Sequence, residues 1–514
     1  MTRRSGGRNA RHAMRAAPLP EDMRPIRAGM EGGRYKPLSD DDITQIHAAA
    51  LDVLETVGLL QATPSCVKAC TAAGAEYRDG RMYFPRALVE HTLATANRDF
   101  TLYGRDPKNH IHPQESKVHY GTGGAAVHVV DVEKREYRDS CLADLYDAAR
   151  IVDVQDNIHF FQRPMVARDM ETDYDLDINT LYACLSGTTK HIGTSFTVAA
   201  NVPDGLEMMY AIAGGEDAFR ARPFVSGSIC FVVPPLRFAQ DACDVMELLI
   251  KGGVPILLLS AGQAGATSPA AIAGSVVQAI AECLAGLVYV NAIEPGHPAI
   301  FGPWPFVSDL RTGAMSGGSG EQSLLMAACG QMANYYDLVG GSPAAMSDAK
   351  LPDIQSGYEK GITTSMAGLA GTNMIYEAAG MHGSLMGFCM ESLIIDNDIL
   401  GQSLRCVRGI DVSPETLSVQ TMRDVCLGGP EHYLGHAQTL SLMQTEYVYP
   451  TIGDRLSPKE WESAGKLSMV EKAIREKRRI LDEHFPGHIS AELDAELRRK
   501  FDIKLPRERM SHQQ

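Results

Sequence analysis

The spacing of apolar residues changes twice along the chain and divides it into three stretches. Ile43, Ile46, Ala50, Val53, Leu54 and Val57 recur at helical spacing, with a Ser39/Asp42 capping box ahead of them and Gly58 as a stop. A second helix is predicted over 85–96, with a short polar hairpin around 77–81 between the two, so residues 37–116 read as a small helical cap. From residue 117 short apolar runs alternate with amphipathic stretches, the pattern of parallel βα units. Strand candidates fall at 118–123, 159–164, 191–196, 224–232, 256–261, 300–306, 344–347 and 374–378. Helices fit at 206–213, 238–249, 270–287, 320–336, 353–369 and 392–407. Eight units in one run, with no GxGxxG after the first, predict an α/β fold in which 117–411 closes as a (β/α)8 TIM barrel. Beyond 412 the alternation stops. Ser457, Pro458 and Glu460 then open a helix whose apolar stripe holds Leu467, Val470, Ile474 and Leu481. Residues 412–514 are therefore expected to form a helical extension that packs on the barrel wall or on a second subunit.

Composition narrows the function more than the fold. At 514 residues and 45% hydrophobic, the chain has room for one large core with additions. Its 63 acidic against 48 basic residues give a net charge of −15, which argues against nucleic acid as the main partner. The 11 cysteines are scattered without a CxxC pair and no secretory leader is visible, so a reducing cytoplasm is expected. No apolar run of roughly 18 residues escapes interruption by Gly or polar residues, so no membrane role is expected. Residues 1–36 carry Arg3, Arg4, Arg8, Arg11 and Arg15 without an apolar leader segment. They read as a flexible arm that docks on a neighbouring subunit of a homo-oligomer.

In a barrel of this kind chemistry gathers where the strands end. The strand-end positions include Tyr120, Gly121, Gly123, Gln162, Arg163, the segment after His191, Gly262, Gln263, Trp304 to Arg311, Gly313, Asp348 and Glu377 to His382. Each glycine-rich loop is by itself what a tight turn requires; together they suit a wide mouth that admits a macrocycle. No HExxH, P-loop or GxSxG is present. His110 with His112 precedes the first barrel strand, and Cys66 with Cys70 has no second pair at zinc spacing, so no metal is assigned.

The blocks Asp309-Leu-Arg-Thr-Gly313, Ser319-Gly-Glu321, Ala333-Asn-Tyr-Tyr336, Ser347-Asp-Ala-Lys350, Gln355-Ser-Gly-Tyr-Glu-Lys-Gly361 and Ile375-Tyr-Glu-Ala-Ala-Gly-Met381 resemble, in order, those of the trimethylamine methyltransferase family. The resemblance reaches the Arg-rich start and covers most of the chain. It implies a (β/α)8 barrel, a methylated amine substrate and a corrinoid protein as partner, with cobalamin supplied by that partner and no tightly bound cofactor. The founding members of the family carry pyrrolysine in the barrel; this chain has standard residues only. That places it with the pyrrolysine-free members, which resemble demethylases of glycine betaine and related quaternary amines.

A quaternary nitrogen fits that departure. Displacement of its methyl group by Co(I) releases a neutral tertiary amine, so no general acid is required, and the protein need only hold the cation in line. Trp304 and Phe306, two apart on a strand, are the expected aromatic cage, or else they pack in the core. Arg311, with Arg163 or His382 in reserve, would take a substrate carboxylate, unless Arg311 pairs with Asp309 or Glu321. Asp309, Glu321, Asp348 and Glu377 are the catalytic candidates, and Glu359, Tyr358 and His191 complete the substrate-binding set. Tyr120, Gly121, Gly123, Gly262, Gln263 and Gly313 are expected to face the corrinoid. The alternatives are a quaternary-amine binder without turnover, or a barrel methyltransferase with another acceptor.

Overall fold

The computed structural model describes residues 19–429 and 431–511; the arginines of the N-terminal arm lie outside the described residues. The fold is mixed α/β, built from eight parallel strands: β1 (Lys117–Tyr120), β2 (Phe160–Gln162), β3 (His191–Thr194), β4 (Val225–Ile229), β5 (Ile256–Ser260), β6 (Ala299–Pro303), β7 (Gly341–Pro343) and β8 (Met374–Tyr376). One sheet runs β6-β5-β4-β3-β2 and another β1-β8-β7, with Met30–Glu31 added antiparallel to β1. Single parallel bridges, Gly121 to Phe160 and Phe301 to Gly340, link the edges of the two sheets. Each strand is followed by a helix: α1 (Leu142–Asp153), α2 (Asp173–Gly187), α3 (Val202–Ala213), α4 (Gln240–Lys251), α5 (Ile272–Ile293), α6 (Gly320–Tyr335), α7 (Ile354–Leu369) and α8 (Met390–Arg408).

Alternation along the strands separates two cores. Ile256, Leu258, Phe161, Phe301 and Ile375 pack with the helices, whereas their neighbours Leu257, Leu259, Phe160, Ile300, Met374 and Tyr376 form a second cluster with Trp304 and Phe306. A period of two puts these sets on opposite faces of each strand. Phe100, Leu102 and Ile111 belong to the second cluster, and an antiparallel bridge joins Leu102 to Ile111. Helix α5 is long and apolar enough to cross a bilayer, yet 78% of its apolar window is buried inside the fold, as in a core helix.

Several expectations are revised. The seventh strand is Gly341–Pro343 rather than 344–347. The polar stretch after β1 forms a hairpin, His128–Asp131 with Glu136–Asp139, and the helices α1 and α2 follow it and β2. The cap contains the expected helix at Asp40–Asp52, with its Ser39/Asp42 capping box, and a helix at Arg86–Thr95, together with one at Pro64–Ala73. All three pack on α5. Residues 27–36, expected within a flexible arm, are tied down by Gly29 N–H to Val118 O at 3.0 Å and Gly32 N–H to Ser116 O at 2.9 Å. The C-terminal helix is two helices, Pro458–Ser463 and Met469–Glu483, because Gly465 and Lys466 both take left-handed backbone between them. The second lies against α1 and α8, where Lys477 pairs with Glu391 at 2.5 Å.

Candidate functional site

The C-terminal ends of the strands converge on a cavity of about 900 Å³. Gln162 and Arg163 reach it from β2, Phe196 from beyond β3, Cys230 from β4, Trp304 from beyond β6, Asp348 and Lys350 from the β7 loop, and Glu377 from β8. Two small sheets frame the mouth. One joins Gln263–Ala264, Phe306–Ser308 and Met315–Ser316; the other joins Met381–His382 and Gly387–Phe388 to the hairpin after β1. Gly124, Ala125, Gly383 and Ser384 line the wall between them with little side-chain bulk.

Trp304, Phe306 and Phe196 give the wall its aromatic surface. The Trp304 indole N–H donates to Gly341 O at 3.1 Å and its ring lies 5.3 Å from that of Tyr376, so its plane is fixed from behind. Gly193 makes room for Gln162, since a Cβ there would fall 1.6 Å from Gln162 Oε1.

The polar groups on this wall stand out by what they lack. Glu377 is 2% exposed and follows β8 with φ +56°, a backbone that L residues avoid. Its Oε2, Gln162 Oε1 and Arg163 Nε are buried and have no hydrogen-bond partner among the described residues. Burial pushes the Glu377 carboxyl up to about 8 and lowers Arg163. Cys230 is exposed to the cavity, where the desolvating protein walls, reinforced by Glu377, push its thiol up to about 11. Buried polar groups are almost always paired, so such atoms collected in one cavity mark a ligand site.

Other candidates are occupied elsewhere. Arg311 is 88% exposed and grips Asp309 with two hydrogen bonds, at 2.9 and 2.6 Å, outside the cavity wall. That contact holds Asp309 down to about 2. Asp348 accepts from Ser316 Oγ and Gly317 N–H, both at 2.7 Å, and from Ser384, which ties the two rim loops together. Glu359 accepts from Ser347 Oγ at 2.7 Å and Asp348 N–H at 2.8 Å, holding the β7 loop from behind. His382 is enclosed, 2.7 Å from Ser392 Oγ. Tyr358 and Glu321 are exposed on α7 and α6. His191 opens β3 at its N-terminal end, 3.0 Å from Tyr103 O and 3.1 Å from Ser226 Oγ.

Of the loop residues expected to face a corrinoid, Tyr120 points outward, its hydroxyl donating to Thr364 O of α7 at 2.9 Å. Gly121 packs on the Phe160 ring and Gly123 on Glu377. Gly262 lies against Ser268, Gln263 takes part in the rim sheet, and Gly313 serves the rim turn with φ +76°. The sequence does not single out Phe196 or Cys230; the signal each carries is a place at the end of a strand. Among the described residues no group of three or more His, Cys, Asp or Glu is placed to hold a metal ion.

Repeated strand–helix units that gather aromatic, carboxyl and guanidinium groups at the strand ends form an enzyme framework. The chain belongs to the trimethylamine methyltransferase (MTTB) family, whose model matches residues 4–507, and it is a methyltransferase. It is 32% identical over 470 residues to trimethylamine methyltransferase MttB of Methanosarcina barkeri, covering 90% of this chain and 94% of that one. It is 27% identical over 464 residues to the glycine betaine methyltransferase of Desulfitobacterium hafniense strain Y51, covering 90% and 96%. The crystal structure of Methanosarcina barkeri monomethylamine methyltransferase MtmB superposes with a TM-score of 0.49 at 11% identity over 90% of each chain.

Proposed function

We propose that this protein removes a methyl group from a methylated ammonium that also carries a carboxylate, glycine betaine or a relative rather than trimethylamine, and passes it to the Co(I) corrinoid of a partner protein. The two sheets are read as the halves of one (β/α)8 barrel, joined by the bridges at Gly121 and Phe301. The observation that carries the substrate reading is the uncommitted pair in the aromatic cavity, the Glu377 carboxyl and the Arg163 guanidinium. A betaine presents a matching cation and anion. Trp304 and Phe306 would face the ammonium, each such contact contributing about 0.5–2 kcal/mol when desolvated. Glu377 would offset its charge, and Arg163, rather than Arg311, would bind the carboxylate.

When bound at the mouth, a Co(I) corrinoid supplies the nucleophile that accepts the methyl group. The rim suits a broad partner: Leu310 and Met386 are 70% and 53% exposed on its loops, and Gly124, Ala125, Gly383 and Ser384 leave part of the wall with little side-chain bulk. The chain's own part is to hold the nitrogen in line and exclude water, and a quaternary substrate leaves as a neutral amine without being handed a proton. The test is transfer from a panel of methylated amines to Co(I) cobalamin, free or on corrinoid proteins, followed by its visible spectrum. Methyl–Co(III) formation with glycine betaine or a relative is expected; transfer from trimethylamine alone would overturn the substrate reading.

A further inference from the structure

The charged and titratable groups of the cavity divide by what already holds them. Asp309 is taken by Arg311, Asp348 by Ser316, Gly317 and Ser384, and the Lys350 ammonium donates to Asp348 O at 2.5 Å. Glu377 from β8, Arg163 from the end of β2 and Cys230 from the end of β4 remain. The loop of Gly121, Gly123 and Gly124 and the ring of Trp304 add no titratable group to this wall.

Glu377 is the group that this arrangement leaves least compensated. Its Oε2 accepts no hydrogen bond among the described residues, and left-handed backbone directs its side chain to the cavity. Among the described residues Glu377 forms no ion pair and its Oε2 meets no donor, so burial favours the neutral acid in the ligand-free protein, in line with its rise to about 8. A quaternary ammonium changes that balance. It has no N–H and no lone pair, so it cannot bond to a neutral acid, but its charge favours the carboxylate.

We propose that Glu377 is the residue that makes substrate capture proton-coupled: entry of a quaternary ammonium breaks its O–H bond, the proton leaves to solvent, and the carboxylate is left facing the cation. This rests on the cavity being the methylated-ammonium site. At neutral pH each binding event therefore releases close to one proton, and affinity rises roughly tenfold per pH unit until about pH 8, where it levels.

Calorimetry of the full-length protein with glycine betaine and with tetramethylammonium, at pH 7 in phosphate and in imidazole, reads the proton count from the difference in heat. Titrations from pH 6 to 9 read the slope. The wild type is expected to release close to one proton and to show the slope with both ligands. Glu377→Gln is expected to bind more weakly with no slope, and Glu377→Asp to keep it. Wild-type binding without proton release, or a slope that survives in Glu377→Gln, overturns the proposal while leaving the cavity's role intact. No binding of either ligand at any pH overturns both.

Discussion

Lys360 and Asp396 are buried as deeply as Glu377, and the two places meet that burial in opposite ways. Behind the loop that carries Glu377, Lys360 and Asp396 form an ion pair at 2.6 Å, each side chain 2% exposed. Asp396 also accepts from Gly380 N–H at 2.7 Å, while His382 and Ser392 close the same region. In the cavity, Glu377 Oε2, Gln162 Oε1 and Arg163 Nε meet no such partner among the described residues. Buried charge by itself therefore says little about function in this molecule. The functional signal is a buried ionisable group that the fold has left unpaired.

The contrast can be broken most forcefully on the paired side. Asp396→Asn leaves a buried ammonium without its partner and should cost about 3–5 kcal/mol of unfolding free energy, measured by chemical denaturation at pH 7. A loss under about 1 kcal/mol would mean that the pair is not the strut described. The unpaired side should respond with the opposite sign. Folding raises Glu377 from its ordinary 4.5 to about 8, so the folded state holds a proton that the unfolded state has lost. Its contribution is fully present below about pH 4.5 and is lost as pH rises through 8, at roughly 1.4 kcal/mol per unit. Ligand-free Glu377→Gln should accordingly be a few kcal/mol more stable than wild type at pH 8.5 and nearly equal to it at pH 4.5. Thermal unfolding across that range checks the sign.

Smaller effects sharpen the assignment of the wall. Phe306→Leu keeps apolar volume and removes one aromatic face, so affinity for a quaternary ammonium should fall about 2- to 20-fold, as measured by calorimetry. Binding of 3,3-dimethylbutyrate, the betaine isostere with a neutral tert-butyl group in place of the ammonium, should hardly change; an equal loss for both would reduce Phe306 to packing. Arg311→Ala is the smallest expected effect, under about twofold on betaine affinity, because that guanidinium is exposed and engaged with Asp309.

Which parts of this were legible in the sequence follows from the range of the interactions. β5 is an unbroken apolar run, Ile256-Leu-Leu-Leu, because helices cover one face and the inner core the other. β7 was displaced because Gly341-Ser-Pro carries no strand-like side chains, while the Ala-Ala-Met that follows does look apolar. The Arg311 pair with Asp309 spans two residues and was foreseeable as one of two readings. The ties of Glu359 to the β7 loop and of His382 to Ser392 depend on tertiary placement, which spacing does not encode. Glu377 was legible as a carboxylate at a strand end; its lack of partners was not.

On the proposed function, Arg163 and Glu377 form one site for a zwitterionic methylated ammonium. The most direct measurement compares wild type with Arg163→Gln in calorimetric titrations of glycine betaine and tetramethylammonium at pH 8.5. Betaine affinity is expected to fall about 10- to 100-fold while tetramethylammonium affinity changes less than about threefold, since only the first ligand has a carboxylate for the guanidinium. Equal losses for the two ligands, or none for betaine, would contradict that reading.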